Sequence, residues 1–365
     1  MGFKCGIVGL PNVGKSTLFN ALTETAAAAA ENFPFCTIEP NVGVVPVPDE
    51  RLDKCAAIAS SAQTIPTQLT FVDIAGLVRG ASKGEGLGNQ FLSHIREVDA
   101  IIHLLRCFED PDVTHVDGQV DPLADAETIE TELMLADLES LERRMAAAVK
   151  KVRGGDKEAA RDLRLMEAAS AALTDGKPAR TVEVSEDDKA AFNNLHLITA
   201  KPILYVCNVD EDSAAEGNAL SAKIAEKAAA EGAECVVISA AIEAEIAQLD
   251  AEERQAFLEE IGLDETGLSR VIRAGHNLLG LITYFTAGPK EARAWTISEG
   301  TKAPQAAGVI HTDFERGFIR AETIAYDDYL ACNGEAGARD AGKARLEGKD
   351  YVVQDGDVLH FRFNA

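Results

Sequence analysis

No stretch of the 365-residue sequence is apolar for the ~20 residues of a membrane span. Nor does the N-terminus carry a basic, then apolar, leader pattern, because Phe3 to Val8 already reads as a strand; no secretory signal is expected. The seven cysteines, at 5, 36, 55, 107, 207, 235 and 332, include no Cys-x-x-Cys pair. That spacing points to neither a disulfide framework nor a zinc site, and it fits a reducing, cytoplasmic setting. Excess positive charge is missing too. The formal net charge is −25, which argues against whole-surface binding of nucleic acid, and neither membrane nor DNA is expected as a partner.

What is present is a phosphate-binding signature. Residues 9 to 17 read Gly-Leu-Pro-Asn-Val-Gly-Lys-Ser-Thr, after the strand-like run 3–8 and before Leu18, Phe19 and Leu22 at helical spacing. Strand, loop and helix are the context that a P-loop needs. Gly9 and Gly14 let the backbone curl so that N–H groups from Asn12, Val13, Gly14, Lys15, Ser16 and Thr17 point at phosphate oxygens. The positive end of the following helix adds to this. Lys15 is placed to reach the β- and γ-phosphates, and the Ser16 hydroxyl to ligate Mg²⁺.

Six apolar runs read as strands: 3–8, 42–47, 69–73, 100–107, 202–207 and 235–239. Several are apolar throughout, as expected of strands covered on both faces. Helical patterns between most of them predict an α/β sheet wound by crossovers. A long insertion interrupts the order. Ile129, Leu133, Leu138, Leu141 and Met145 mark one helix; Leu163, Met166, Ala169 and Leu173 mark another, with Gly154-Gly155 between them. This spacing predicts an antiparallel helical hairpin over 124–199. Residues 143–164 hold eight Lys or Arg against three Asp or Glu, a local balance of +5 at the hairpin tip. Such a tip is either an ordinary solvated surface or an arm that touches an acidic partner such as RNA. From residue 281 the chain turns to short strand-like runs and predicts a small β-rich domain, 281–365. The nucleotide-binding domain is then 1–123 together with 200–280.

Further motifs narrow the reading. Run 69–73 ends in Asp73-Ile74-Ala75-Gly76. Asp73 is suited to hold Mg²⁺, and Gly76 to present its N–H to a γ-phosphate. Thr37, in Pro34-Phe35-Cys36-Thr37, is suited to close over Mg²⁺ in a switch loop. Asn208, Val209 and Glu211 follow run 202–207, and Ser239, Ala240 and Ala241 follow run 235–239; both are positions for base-reading loops. Two residues depart from a GTPase pattern. Leu77 stands where many GTPases carry the Gln that orients water, so His115 becomes a candidate for positioning it, against the alternative of a surface histidine. Glu211 stands where an Asp reads guanine, which predicts ATP over GTP. Asn12 is a candidate for monovalent-cation (K⁺) binding. Cys36, beside Thr37, is either a redox-sensitive thiol or an inert small residue.

Together these residues resemble the YchF, or Obg-like ATPase, family of P-loop proteins. The resemblance is carried by 9–17, by Asn-Phe-Pro-Phe-Cys-Thr-Ile-Glu-Pro-Asn (32–41), by Asp-Ile-Ala-Gly-Leu-Val-Arg-Gly-Ala (73–81) and by Asn-x-x-Glu (208–211). It extends to Tyr-Phe-Thr-Ala-Gly (284–288), Ala-Trp-Thr-Ile (294–297), 310–321 and 348–358. It implies a P-loop G domain, an inserted α-helical coiled-coil hairpin and a C-terminal TGS domain of β-grasp shape. It also implies Mg²⁺-dependent ATP hydrolysis and binding to ribosomes, with the hairpin tip and a stretch holding Arg293, Lys302, Arg316 and Arg320 as candidate contacts to large-subunit RNA. A GTPase of the Obg type, or a very slow nucleotide sensor that scaffolds partners, is the alternative.

Overall fold

The computed structural model describes residues 3–30, 38–39, 41–74, 87–111 and 118–364. The six predicted strands, joined by a short further strand β2, form one seven-stranded sheet: β1 (Lys4–Val8), β2 (Ile38–Glu39), β3 (Val42–Pro46), β5 (Gln68–Asp73), β6 (Ala100–Arg106), β7 (Ile203–Asn208) and β8 (Glu234–Ile238). Their order is β2-β3-β5-β1-β6-β7-β8. β5, β1, β6, β7 and β8 run parallel, while β2 and β3 are antiparallel additions. β6 and β7 are buried at every position. That is why their sequences lack alternation: both faces are covered. Helices α1 (Lys15–Ala30), α3 (Leu87–Arg96), α7 (Ala219–Glu231), α8 (Ala240–Ile246), α9 (Ala251–Glu260) and α10 (Gly267–Leu278) accompany this sheet. Ile7, Leu18, Leu22, Phe71, Ile102, Leu104 and Val206 form its core.

The insertion is helical. Asp121 caps α4 (Pro122–Arg153) by accepting from the N–H groups of Leu123 and Ala124, and Pro122 fills the first turn, where no N–H is needed. The helix stops at Gly154, and Gly155 adopts φ 87°, a left-handed turn that favours glycine. Asp156 caps the returning α5 (Lys157–Thr174), and α6 (Glu186–Asn193) follows. Leu141, Leu165, Met166, Ala169, Leu173 and Phe192 share a separate core. Near the sheet, Asp137 is buried and accepts from Ile198 N–H at 2.9 Å, Thr199 N–H at 2.8 Å and Thr199 Oγ1 at 2.7 Å. Burial pushes this carboxyl up, and those three donors oppose it.

The C-terminal strands β9 (Leu281–Ala287), β10 (Ala292–Ser298), β11 (Phe318–Ile324), β12 (Arg345–Glu347) and β13 (Val358–Phe363) make a second sheet. Counted from β9, the order is 2-1-5-3-4, with α11 (Ala303–Ile310) and α12 (Thr312–Arg316) after the second strand, as the β-grasp expectation requires. α13 (Tyr326–Ala331) and α14 (Glu335–Asp340) follow β11.

One part of the chain crosses over. β4 (Thr64–Ile65) pairs in parallel with β10 and becomes the sixth strand of the second sheet. α2 (Glu50–Ala59) places Leu52, Cys55 and Ala56 in one core with Phe285, Ala294, Tyr329 and Val358. Both elements fall within residues 1–123, the stretch that the sequence reading gives to the nucleotide-binding domain. Residues 50–65 nevertheless bury their apolar face against the C-terminal sheet. The chain leaves the first sheet at β3, docks on the second, and returns at β5.

Candidate functional site

The parallel strands point their C-terminal ends at one edge of the first sheet, where open α/β sheets bind ligands. A cleft of about 950 Å³ lies there. Its lining brings together residues from sequence positions 10 to 241: Asn12, Gly14, Lys15, Ser16 and Thr17 from the loop after β1; Asn208, Val209 and Glu211 from the loop after β7; and Ser239, Ala240 and Ala241 after β8. Val13 is buried against the core and contributes its backbone.

The two halves of the cleft are stitched by one side chain. Asn208 is 4% exposed. Its Nδ2 donates to the Val13 carbonyl at 3.0 Å, and its Oδ1 accepts from Ala240 N–H at 2.9 Å. Gly14 sits beside it with φ 89°, and a Cβ there would fall 2.3 Å from Asn208 Nδ2. Glycine is required both for the conformation and for the space. Asn12 also adopts the left-handed region, at φ 64°. α1 begins at Lys15, so the first-turn N–H groups face the cleft without intrahelical acceptors.

Lys15 Nζ is ion-paired with Asp73 Oδ1 at the tip of β5, and both side chains are mostly buried. Ser16 lines the same cleft. A serine hydroxyl and a carboxylate are hard oxygen donors, a fit for Mg²⁺. Among the described residues no group of three or more His, Cys, Asp or Glu is gathered as a ready metal cage. Mg²⁺ binding with one or two protein ligands needs no such cage, because substrate phosphates and water complete the set.

At the other end, Asp210 turns away to cap the short turn Glu211–Ser213, accepting from Ser213 N–H at 3.0 Å. The Glu211 carboxylate is exposed and makes no hydrogen bond or ion pair among the described residues. Val209, where guanine readers have Lys, is 3% exposed and packs in the core. Ser239 is 2% exposed, and its Oγ has no partner among the described residues although it lines the cleft. A buried, unmatched hydroxyl at a cavity wall is a group that a ligand can satisfy.

Thr37, Gly76, Leu77, His115 and Cys36 lie outside the described residues.

One wall of the cleft escaped the sequence reading. Phe108, Glu109, Asp110 and Pro111, just after β6, line it. Arg106 shapes this wall. It is 1% exposed, donates from Nε to the Phe108 carbonyl at 3.1 Å and from Nη2 to the Asp110 carbonyl at 3.2 Å, and stands 4.7 Å from the Phe108 ring centroid. The available signal was positional: β6 ends at the same sheet edge as the P-loop. Behind it, the Cys207 thiol meets that of Cys107. This contact, with a smaller contribution from burial, pushes Cys207 up against the opposing effect of Cys235, whose sulfur lies 3.7 Å away.

Comparison with known proteins agrees with this geometry. Residues 4–139 match the family model described as 50S ribosome-binding GTPase. Residues 281–364 match the YchF-GTPase_C model, described as a protein of unknown function. The ribosome-binding ATPase YchF of Bacillus subtilis is 58% identical over 367 residues, and that of Haemophilus influenzae 59% over 365, each covering 100% of both chains. The solved structure of the Schizosaccharomyces pombe YchF GTPase superposes with a TM-score of 0.90 at 39% identity, covering 99% of this chain and 98% of that one. Full-length identity of this order, on a chain whose P-loop, base-side loops and β-grasp sheet are all in place, establishes that the protein belongs to the YchF family.

Proposed function

We propose that this protein is an ATP hydrolase that works as a ribosome-associated nucleotide switch. The observation that carries the reading is the Asn208 bridge. It joins a phosphate-cradling loop to a base-side loop in one cleft whose reader position is Glu211. The bacterial relatives are described as ribosome-binding ATPases, which supports it.

In this reading the backbone N–H groups of residues 12–17 hold the phosphates. Lys15 exchanges its Asp73 partner for the β- and γ-phosphate oxygens and stabilises charge there. Ser16 and Asp73 would hold Mg²⁺, which when bound neutralises charge on the transferred phosphoryl group. Thr37 as a further ligand, Gly76 as a γ-phosphate donor and His115 as the group that positions water rest on sequence position, as does K⁺ at Asn12. Val209 and Glu211 leave the base side without the Lys and Asp of a guanine reader, while the unmatched Ser239 hydroxyl stands ready to pair with a polar edge of the base. The basic hairpin tip, where Lys150, Lys151 and Arg153 are exposed, is the surface proposed to meet ribosomal RNA. Nucleotide-binding domain 1–123 with 200–280, hairpin 124–199 and C-terminal domain 281–365 are the proposed units, with 50–65 packed on the last. No helix among the described residues is long and apolar enough to cross a membrane, and a cytoplasmic setting is part of the proposal.

A GTPase is the second reading, favoured by the description of the S. pombe relative. Turnover and affinity for ATP and GTP, with and without ribosomes and with K⁺ exchanged for Na⁺, separate the two. A kcat/KM for GTP equal to or above that for ATP overturns the ATPase reading.

A further inference from the structure

A second cleft, of about 340 Å³, lies along the outer side of β8, away from the nucleotide site. β8 is the last strand of its sheet. Val209 N–H donates to the Ile238 carbonyl at 2.8 Å, which fixes the side of β8 that faces β7. Parallel pairing alternates, so Glu234, Val236 and Ile238 bond inward while Cys235 and Val237 turn their N–H and C=O groups outward. No hydrogen bond reaches those four groups among the described residues. They form the floor of the cleft.

The wall is α10, which presents Arg270, Arg273 and Asn277 at helical spacing on one face. Arg273 is held in a two-pronged pair with Glu265, at 3.0 and 2.6 Å. Arg270 is different. Its Nε is buried and has no hydrogen-bond partner among the described residues; no carboxylate there lies within ion-pair distance of its guanidinium, whose charge acts at longer range on the buried Glu243. Ala215 and Glu216 close the opposite side, and Glu234 stands at one end.

A natural sheet usually covers, charges or twists away an edge of this kind. Here the edge is left between a helix and a loop, as a slot about four strand residues long, or about 13 Å. Hydrocarbon or a phosphate alone would leave the floor unpaired. An extended chain answers both features.

We propose that this cleft binds an extended peptide segment of another protein. The segment adds to β8 as a further strand through Cys235 and Val237, and it carries one carboxylate side chain that pairs with Arg270. Strand addition of this kind takes its affinity from main-chain bonds and its selectivity from alternate side chains. The inference is independent of which nucleotide the protein hydrolyses.

The test uses the full-length, ¹⁵N-labelled protein and a capped pentapeptide, Thr-Val-Glu-Val-Thr, with matched peptides bearing Gln or Lys at the centre. The Glu peptide should shift the amides of Cys235 and Val237 and slow their exchange, and the Lys peptide should not. Arg270→Gln should weaken binding of the Glu peptide about tenfold and leave the Gln peptide unchanged. Val237→Pro removes an N–H that makes no ladder bond, so the fold should hold, as its unchanged thermal midpoint will show, while every peptide loses affinity. No response at these amides up to millimolar peptide overturns the proposal. So does binding that ignores both substitutions, or equal binding of the Glu and Lys peptides. Concentration-dependent dimerisation that protects the same amides also overturns it, since a second copy is then the occupant.

Discussion

The side-chain amide of Asn208 donates to the main-chain carbonyl of Val13 across 195 residues of sequence, at 3.0 Å. With its Oδ1 engaged by Ala240 N–H, it is the tie that holds the phosphate and base halves of the cleft in register. Asn208→Ala would leave a buried carbonyl and a buried N–H unmatched, at a cost of about 2–4 kcal/mol. We expect urea unfolding to show that loss, and titration with a fluorescent ATP analogue to show affinity at least ~tenfold weaker. An alanine variant of unchanged affinity would mean that the loops hold their positions without the bridge.

Lys15 tests the chemistry rather than the scaffold. Its ion pair with Asp73 lies at the mouth of the cleft, and both side chains keep some exposure. Because both are mostly buried, removing one partner leaves the other charge unmatched and carries a stability cost of its own. Lys15→Met should lower ATP turnover by about 10²-fold or more in protein still folded under the assay conditions, as a urea curve run alongside will show. Turnover within a few-fold of the parent protein would remove Lys15 from the catalytic set.

The strap formed by α2 and β4 gives a prediction in acid. Arg51 Nη1 reaches Asp355 at 2.6 Å, and its guanidinium lies 5.3 Å from the Phe285 ring. Burial pushes the Asp355 carboxyl up. The hydrogen bond from Arg51, joined by Thr283 N–H, outweighs it and holds the group below its ordinary value of 3.8. A depressed carboxylate contributes stability above that ordinary value and loses it as pH falls through the lowered one. Half of the Asp355 side chain is exposed, so the contribution is about 1 kcal/mol or less. Asp355→Asn should therefore be slightly less stable than the parent at neutral pH, with the difference starting to shrink only as pH falls below the ordinary carboxylate value of 3.8. A constant difference across that range would locate the effect elsewhere.

The strap also marks where the sequence stopped being readable. β6 and β7 were legible because a strand covered on both faces is apolar along its whole length. α4 and α5 were legible from spacing and from the glycines between them. The spacing of Leu52, Cys55 and Ala56 shows which face of α2 is buried, yet nothing local says against what. The answer lies with Phe285 and Ala294, and the bond from Ser61 to the Gly288 carbonyl spans 227 residues. The P-loop half of the site was likewise legible because the motif is contiguous. The Phe108–Pro111 wall was not, since its shape depends on the buried guanidinium of Arg106 rather than on a motif.

His103 offers the sharpest dependence on pH. It lies in β6, fully buried beside the Tyr205 ring, and neither ring nitrogen finds a partner among the described residues. Burial, helped by the nearby Lys227 and Arg180 charges, lowers its pKa from 6.5 to about 3. Between those values the unfolded chain takes up a proton that the folded chain refuses. Stability must then fall as pH falls through the ordinary histidine range, by about 1 kcal/mol between about pH 6.5 and about pH 5.5 from this one group. His103→Leu removes both the titration and two unmatched nitrogens. The variant should be at least as stable as the parent at neutral pH. Its advantage should grow by that ~1 kcal/mol on acidification, measured as the difference between paired urea curves. A difference that stays flat, or shrinks, would show that His103 finds a proton partner in the folded chain and that the buried ring is not neutral by default.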